Sequence, residues 1–335
     1  MCALTRVTLL CGLLISATAV ALRVDAQRNV FSPPYTLAMP VKEPHIFAEG
    51  VISTNDYERG GTFTRDGHTF YFVKRGPEGY FLAICVSHYA NGGWTKPEIA
   101  PFSGQYPDYD PLITPDGSKM FFTSRRPFDG RQDADIWVMD KSSDGWSEPR
   151  NLGAPINTPG VEGYATITRD GTLYFHSSRE GGKGDLDIYR SRLVDGKYTK
   201  AENLGDVVNT KYTEAFPQIA SDESFLIFVG IDKPDEIIGD GAKYPRGDLY
   251  IAFNRNGTWT TPKHIDPPIN TPAAEVCPFL SPDGKYLFFT SERGFRTWFP
   301  KTRVTINEIE QGLNSVENGL GNIYQVDLSA IGVQP

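Results

Sequence analysis

Five times along the chain, a tight turn carrying an aspartate is followed by a run of aromatic and β-branched residues. The copies read "TRDGHTFYFVKRG" from Thr64, "TPDGSKMFFTSRRP" from Thr114, "TRDGTLYFHSSREG" from Thr168, "SDESFLIFVG" from Ser221 and "SPDGKYLFFTSERG" from Ser281. Pro-Asp-Gly and its relatives favour turns, and the runs on either side favour strands. The turn aspartates Asp66, Asp116, Asp170, Asp222 and Asp283 are 50, 54, 52 and 61 residues apart. A period of this length marks an array of supersecondary units, each burying its apolar face against the next. Every unit adds a third strand: "FLAICVS", "DIWVMDK", "DIYRSRL", "DLYIAFN" and "NIYQVDL". Four units then make an Asn-Gly or Asp-Gly turn, at Asn91, Asp144, Asp195 and Asn256. That dipeptide between strands is a strong hairpin signal. It leads into fourth strands opening "WTKPEIAP", "WSEPRNLG", "YTKAENLG" and "WTTPKHID".

The fifth unit has no such fourth strand after its third. A matching piece, "VKEPHIFAEG" from Val41, stands before the first unit. The prediction is an all-β, five-bladed β-propeller of four-stranded blades, closed by an N-terminal strand that completes the last blade. Closure of this kind removes the unpaired edge an open array would leave. The expected blades span about 58–101, 108–153, 162–205, 214–266 and 275–328 with 41–50, within one domain of residues 41–330. Almost no stretch carries a 3.6-residue period, which speaks against helical or α/β folds.

Residues 1–26 read as a secretory signal peptide: Arg6, then the apolar run "VTLLCGLLISATAVAL", then small residues ending at Ala26. Residues 27–40 form an N-terminal extension. No later run is apolar for long enough to span a bilayer. The expected location is therefore secreted or periplasmic. A net charge of −8 argues against a nucleic-acid-binding face. After signal removal Cys85 and Cys277 remain, on different layers of different blades, and are expected not to pair.

The phrases "SPDGKYLFFTSERG…GNIYQVDL" and "TRDGTLYFHSSREGGKGDLDIYRSRL" resemble the TolB-type propeller repeat. The linking phrase "WSEPRNLGAPINTPGVEGYATITRDG" is closer still to the propeller modules that accompany OmpA-like domains in bacterial envelope proteins. The resemblance covers roughly Glu43 to Leu328. It implies a propeller of the cell envelope and says little about activity.

Aligned, the units separate what recurs from what deviates. Eight residues before each turn aspartate stands an acid: Glu58, Asp108, Glu162, Glu214 and Glu275. Chain direction places these at the start of the innermost strands. There they share a face with the loops joining second and third strands, which carry Arg126, Arg179 and Arg293. One reading is a carboxylate ring at the channel mouth, able to bind a sugar or a cation such as Ca²⁺, or to hydrolyse a glycoside through a carboxylate pair. The other is that each acid ties neighbouring blades through arginine or backbone N–H groups. Two residues after the acid the chain varies: Gly60, Asp110, Tyr164, Phe216, Cys277. Such variety suits a channel-facing site where no structural rule fixes the residue. His176 stands where other units have Thr and reads as a structural residue. Asp135, Asp187, Asp248 and Asn322 read as loop bonds, and Trp94, Trp146 and Trp259 as packing.

Two loops on the acid-bearing face are enlarged, at 231–247 and 293–321. The second brings Phe295, Arg296, Trp298, Phe299, Lys301 and Arg303 into one stretch. Long loops on a rigid scaffold are where binding residues concentrate. The expectation is a binding module for a carbohydrate, a peptide or an envelope protein on this loop-rich face, centred on Asp110, Tyr164, Phe295 and Trp298. A glycan-active hydrolase or lyase and a purely structural scaffold are the alternatives. No Cys/His zinc spacing, phosphate loop or nucleophile elbow is present, so no metal or other cofactor is expected beyond a possible Ca²⁺.

Overall fold

The computed structural model describes residues 32–334, apart from 38–39, 77–78, 80, 239–245 and 295–301. The expected signal peptide lies outside the described residues. The architecture is a five-bladed β-propeller. Each blade is an antiparallel meander from the central channel outward. Blade 1 runs Glu58–Phe63, Thr69–Arg75, Leu82–Ala90 and Glu98–Ile99. The innermost strands of blades 2 to 5 are Asp108–Ile113, Glu162–Ile167, Thr213–Ile219 and Glu275–Leu280. The fourth strands are cut to two residues, such as Arg150–Asn151 and Lys263–His264.

The last blade is completed from the other end of the chain. His45–Ile46 pairs antiparallel with Asn322–Asp327, opposing Gln325 and Tyr324. The extension adds a second fastening. Tyr35 is buried, its ring 4.9 Å from Phe63 and 6.1 Å from Tyr286, and its carbonyl accepts a hydrogen bond from Gln325 at 2.6 Å.

The core is not one mass but five, one in each seam between blades. Phe121, Ile136, Ala165 and Leu173 fill the seam of blades 2 and 3. Tyr35, Phe63, Phe70, Phe279 and Phe288 fill that of blades 5 and 1. Trp94, Trp146 and Trp259 each pack in a different seam, and the Trp146 indole donates to the Tyr71 hydroxyl at 3.1 Å. Cys85 and Cys277 are buried and unpaired. No helix among the described residues is long and apolar enough to cross a membrane.

One sequence inference is corrected. The variable position two after the acid does obey a structural rule, and the rule is conformational. Gly60, Asp110, Tyr164, Phe216 and Cys277 have φ of 52°, 55°, 51°, 52° and 53°. Each sits at a register shift between first and second strands. This is a β-bulge repeated in every blade. Left-handed backbone costs a non-glycine residue roughly 1–2 kcal/mol, yet four blades accept it. Such positions bend the strand and re-aim a side chain.

Candidate functional site

The acids at the start of the innermost strands are fully buried, and each is consumed by its own seam. Glu162 accepts from the Thr158 amide and hydroxyl, both at 2.7 Å, from Ser177 at 2.6 Å and from Arg179 at 3.4 Å. Glu275 repeats the set with Thr271, Ser291 and Arg293. Asp108 uses Ser103, Ser124 and Arg126. Burial pushes the Glu275 carboxyl up to about 7, against the opposing pull of Ser291 and Arg293. The arginines also reach back to the preceding linker: Arg179 to the Ile156 carbonyl and Arg293 to that of Ile269, each at 2.6 Å. Arg126 does the same at Phe102.

Blades 1 and 4 solve the same problem with lysine. Lys74 lies 2.9 Å from Glu58, and Lys233 lies 2.5 Å from Glu214. Sequence reasoning missed both, because it looked for an arginine in the loop. Arg75 instead stacks on Tyr57, 3.3 Å from the ring centroid. The threonines that cap Glu162, Glu214 and Glu275 (Thr158, Thr210 and Thr271) belong to a linker phrase, Asn-Thr, whose asparagine is equally occupied. Asn157, Asn209 and Asn270 each clamp both the N–H and C=O of one third-strand residue, Ile136, Ile188 and Leu249. Ser53 performs this for Ile323, where the ends of the chain meet.

Deeper in the channel, the bulge residues face one another. Asp110 is paired with Arg59 at 2.7 Å, and the side chains are 2% and 15% exposed. The Arg59 guanidinium also lies 5.3 Å from the Tyr109 ring and 5.8 Å from Phe216. Burial pushes the Asp110 carboxyl up, and Arg59 partly offsets it. The Tyr164 hydroxyl donates to the Pro278 carbonyl of blade 5 at 2.8 Å, so it bridges the channel. Its burial raises it well above the ordinary phenol range. The Tyr164 amide donates to Thr123 and the Gly60 amide to Thr290, at 3.1 and 2.9 Å. His176 is the third member of that set, its Nδ1 accepting from the Phe216 amide at 3.1 Å. Burial and Arg59 push His176 down to about 3, so it stays neutral.

The channel is therefore bridged by Arg59–Asp110 and by Tyr164. Arg59 was legible in principle: it follows the acid where the other blades have Tyr, Gly, Ala or Val. Of the residues singled out from sequence, Asp108, Glu162 and Glu275 meet Arg126, Arg179 and Arg293, while Asp110 and Tyr164 line the same small hollow in the channel. The five acids are not gathered into one cluster. Among the described residues, no group of three or more His, Cys, Asp or Glu side chains is placed to hold a metal ion. Phe295 and Trp298, with Arg296, Phe299 and Lys301, lie outside the described residues. The rest of that loop forms a helix, Ile306–Asn314, opened by a Thr305–Glu308 capping box. Its Ile306, Ile309 and Leu313 are solvent-exposed.

No family model matches the chain, and no curated protein does. Solved structures share the fold. An arabinanase from Bacillus subtilis is 13% identical with a TM-score of 0.50, over 82% of this chain and 95% of its own. TolB from Acinetobacter baumannii is 18% identical with a TM-score of 0.45, over 81% of this chain and 54% of its own. An α-L-arabinofuranosidase from Lactobacillus brevis is 12% identical with a TM-score of 0.45, over 88% and 92%. The chain thus spans about half the length of that TolB. At these identities the likeness shows the fold alone: this is a β-propeller.

Proposed function

We propose that the chain is a non-catalytic binding propeller, secreted or periplasmic, that engages a polypeptide partner through its loop-rich face. The observation that carries this reading is where exposed apolar side chains fall. Among the described residues, ten large apolar side chains are exposed, and Ile238, Val304, Ile306, Ile309 and Leu313 stand on the two enlarged loops. Contiguous exposed apolar surface marks interaction sites. Ile306, Ile309 and Leu313 follow the i, i+3, i+7 spacing of a single helical face.

Glycoside hydrolysis is the weaker reading. It needs two carboxylates in unlike environments, one free to protonate a leaving group. Here the five recurring acids are taken up by seam contacts, and Asp110 is held by Arg59. We place the repeat with the TolB-type propellers on the strength of its Asp-Gly turns, and the signal-like segment 1–26 supports export.

The test is a photo-crosslinking residue introduced at 306 or 313 in cells that express the chain, with Ile99, exposed at the rim of blade 1, as control. Adducts of one mass at 306 and 313 and none at 99 are expected, along with a mature N-terminus at Gln27. Absence of adducts at the helix overturns the partner. Release of sugar from arabinan or peptidoglycan fragments overturns the non-catalytic assignment.

A further inference from the structure

The face opposite the loops carries the turns between first and second strands, and two hollows open on it. A cavity of about 620 Å³ enters the channel over Leu112, Gln218 and Phe279. A groove of about 980 Å³ runs along the seam of blades 2 and 3. The two share Arg65 and Arg169. These stand in the turns "TRDG" of blades 1 and 3, where blades 2 and 5 have Pro115 and Pro282. Both arginines are exposed, and neither guanidinium forms an ion pair or hydrogen bond with another described residue.

The groove also contains Lys119, Arg150 and Lys197, with Tyr198. Arg150 reaches Asp140 only at 3.4 Å. The Tyr198 hydroxyl has no hydrogen-bond partner among the described residues. The two carboxylates lining the groove, Asp116 and Asp170, are occupied within their own turns by Thr114 and Ser118 and by Thr168 and Thr172. Lys119 and Arg150 are both paired with Asp140, so Arg65, Arg169 and Lys197 are the groove cations without an ion pair among the described residues, on a chain whose net charge is −8. Between the cations the walls are apolar: Leu152, Pro155, Ile167 and Leu193. Blade 3 is built differently here. Its third strand stops at Ser191, and Leu193–Val194 pairs with Lys197–Tyr198 as a separate ribbon. Leu193 is left 40% exposed.

We propose that this groove is a small-ligand site for an elongated amphipathic anion, with acid groups flanking an apolar body. Arg65 and Arg169 receive one acid, Arg150, Lys197 and Tyr198 the other, and Leu152, Ile167 and Leu193 the apolar middle. Arginine suits such a head group because its planar fork meets a carboxylate through two parallel hydrogen bonds. The volume lies within the range of small-molecule sites.

The probe is dodecanedioate, measured by calorimetry on the mature chain at low salt, with 1,12-dodecanediol and 1,12-diaminododecane of the same length alongside. Saturable binding of one dodecanedioate per chain is expected, with neither analogue binding. The pairs Arg65→Glu/Arg169→Glu and Arg150→Glu/Lys197→Glu should each raise Kd tenfold or more, and Leu193→Asp likewise. Arg255→Glu, on an exposed turn of blade 4, should change nothing. Because every altered side chain is on the surface, an unchanged Tm certifies the fold. The proposal falls if dodecanedioate gives no saturable heat at millimolar concentration, if the diol or diamine binds as tightly, or if both charge reversals leave Kd within twofold. This site shares no residue with the helix face, so its failure and that of the polypeptide-partner reading are separate results.

Discussion

The Arg59–Asp110 pair makes a prediction whose sign reverses with context. Asp110 carries φ +55°, a conformation that glycine adopts freely and that costs other residues roughly 1–2 kcal/mol. On backbone grounds alone, Asp110→Gly should stabilise. Its carboxylate, however, lies 2.7 Å from Arg59 with both side chains largely buried. Breaking a buried pair by removing one partner costs about 3–5 kcal/mol, because the other charge is left unpaired. The pairing should outweigh the strain, and Asp110→Gly should destabilise the native chain by about 1–4 kcal/mol. In an Arg59→Met background, the same change removes an orphaned carboxylate as well as the strain. It should then stabilise, by about 1 kcal/mol or more. Urea unfolding followed by tryptophan fluorescence, at constant m-value, measures all four corners of the cycle. If the two changes add to within about 0.5 kcal/mol, the pair is solvated and the channel is not closed at this level.

Tyr35→Ala should cost about 3–5 kcal/mol, the usual loss for a buried aromatic, because the ring lies between Phe63 and Tyr286. A smaller loss by the same unfolding assay would mean that the extension is not a fastening. Asn209→Ala should cost about 3 kcal/mol through the lost clamp on Ile188 and its unsatisfied backbone groups. Glu275 bears on pH. A carboxyl raised to about 7 in the fold holds a proton that the unfolded chain releases near its ordinary value. Its contribution is therefore fully present below about pH 4.5 and is lost as pH rises towards 7. Glu275→Gln should flatten that segment of the stability–pH curve; a parallel curve would refute the assignment.

The fold was readable because its signals are local and repeated. "PDG", "NG" and alternating aromatic strands each specify a turn or a pleated surface without reference to distant residues. Even "SDES", the weakest copy, still turns, with Glu223 at φ +59°. The ring closure was readable for the same reason: "VKEPHIF" carries the pattern missing from the fifth unit. The channel was harder. Nothing in Tyr164, Phe216 or Cys277 announces a left-handed backbone, since only Gly60 has the residue that such a conformation favours. The bulge is imposed by the neighbouring blades, through acceptors such as Thr123 and His176 that take the bulge amide. Whether a carboxylate is available or already used also depends on partners four and fifteen residues away, as with Glu162, Thr158 and Ser177. The turn-face groove depends on two arginines lying 104 positions apart in sequence and on a broken strand in one blade, and no single motif carries that.

The clasp of His45–Ile46 against Asn322–Asp327, tightened by a bond between residues 290 positions apart, also sets the order of events in folding. Each of the first four blades consists of neighbours in sequence and can assemble as the chain is delivered. The ring has no such freedom, for its seal joins the earliest strand to the latest. Contacts of such long sequence separation are slow to form. A chain emerging from its N-terminus thus carries a waiting strand past four finished blades, and becomes a closed object only when the fifth arrives. Until then the Tyr35 and Phe47 side chains have no seam to enter, and the half-built ring exposes them to whatever chaperone or aggregate is nearest.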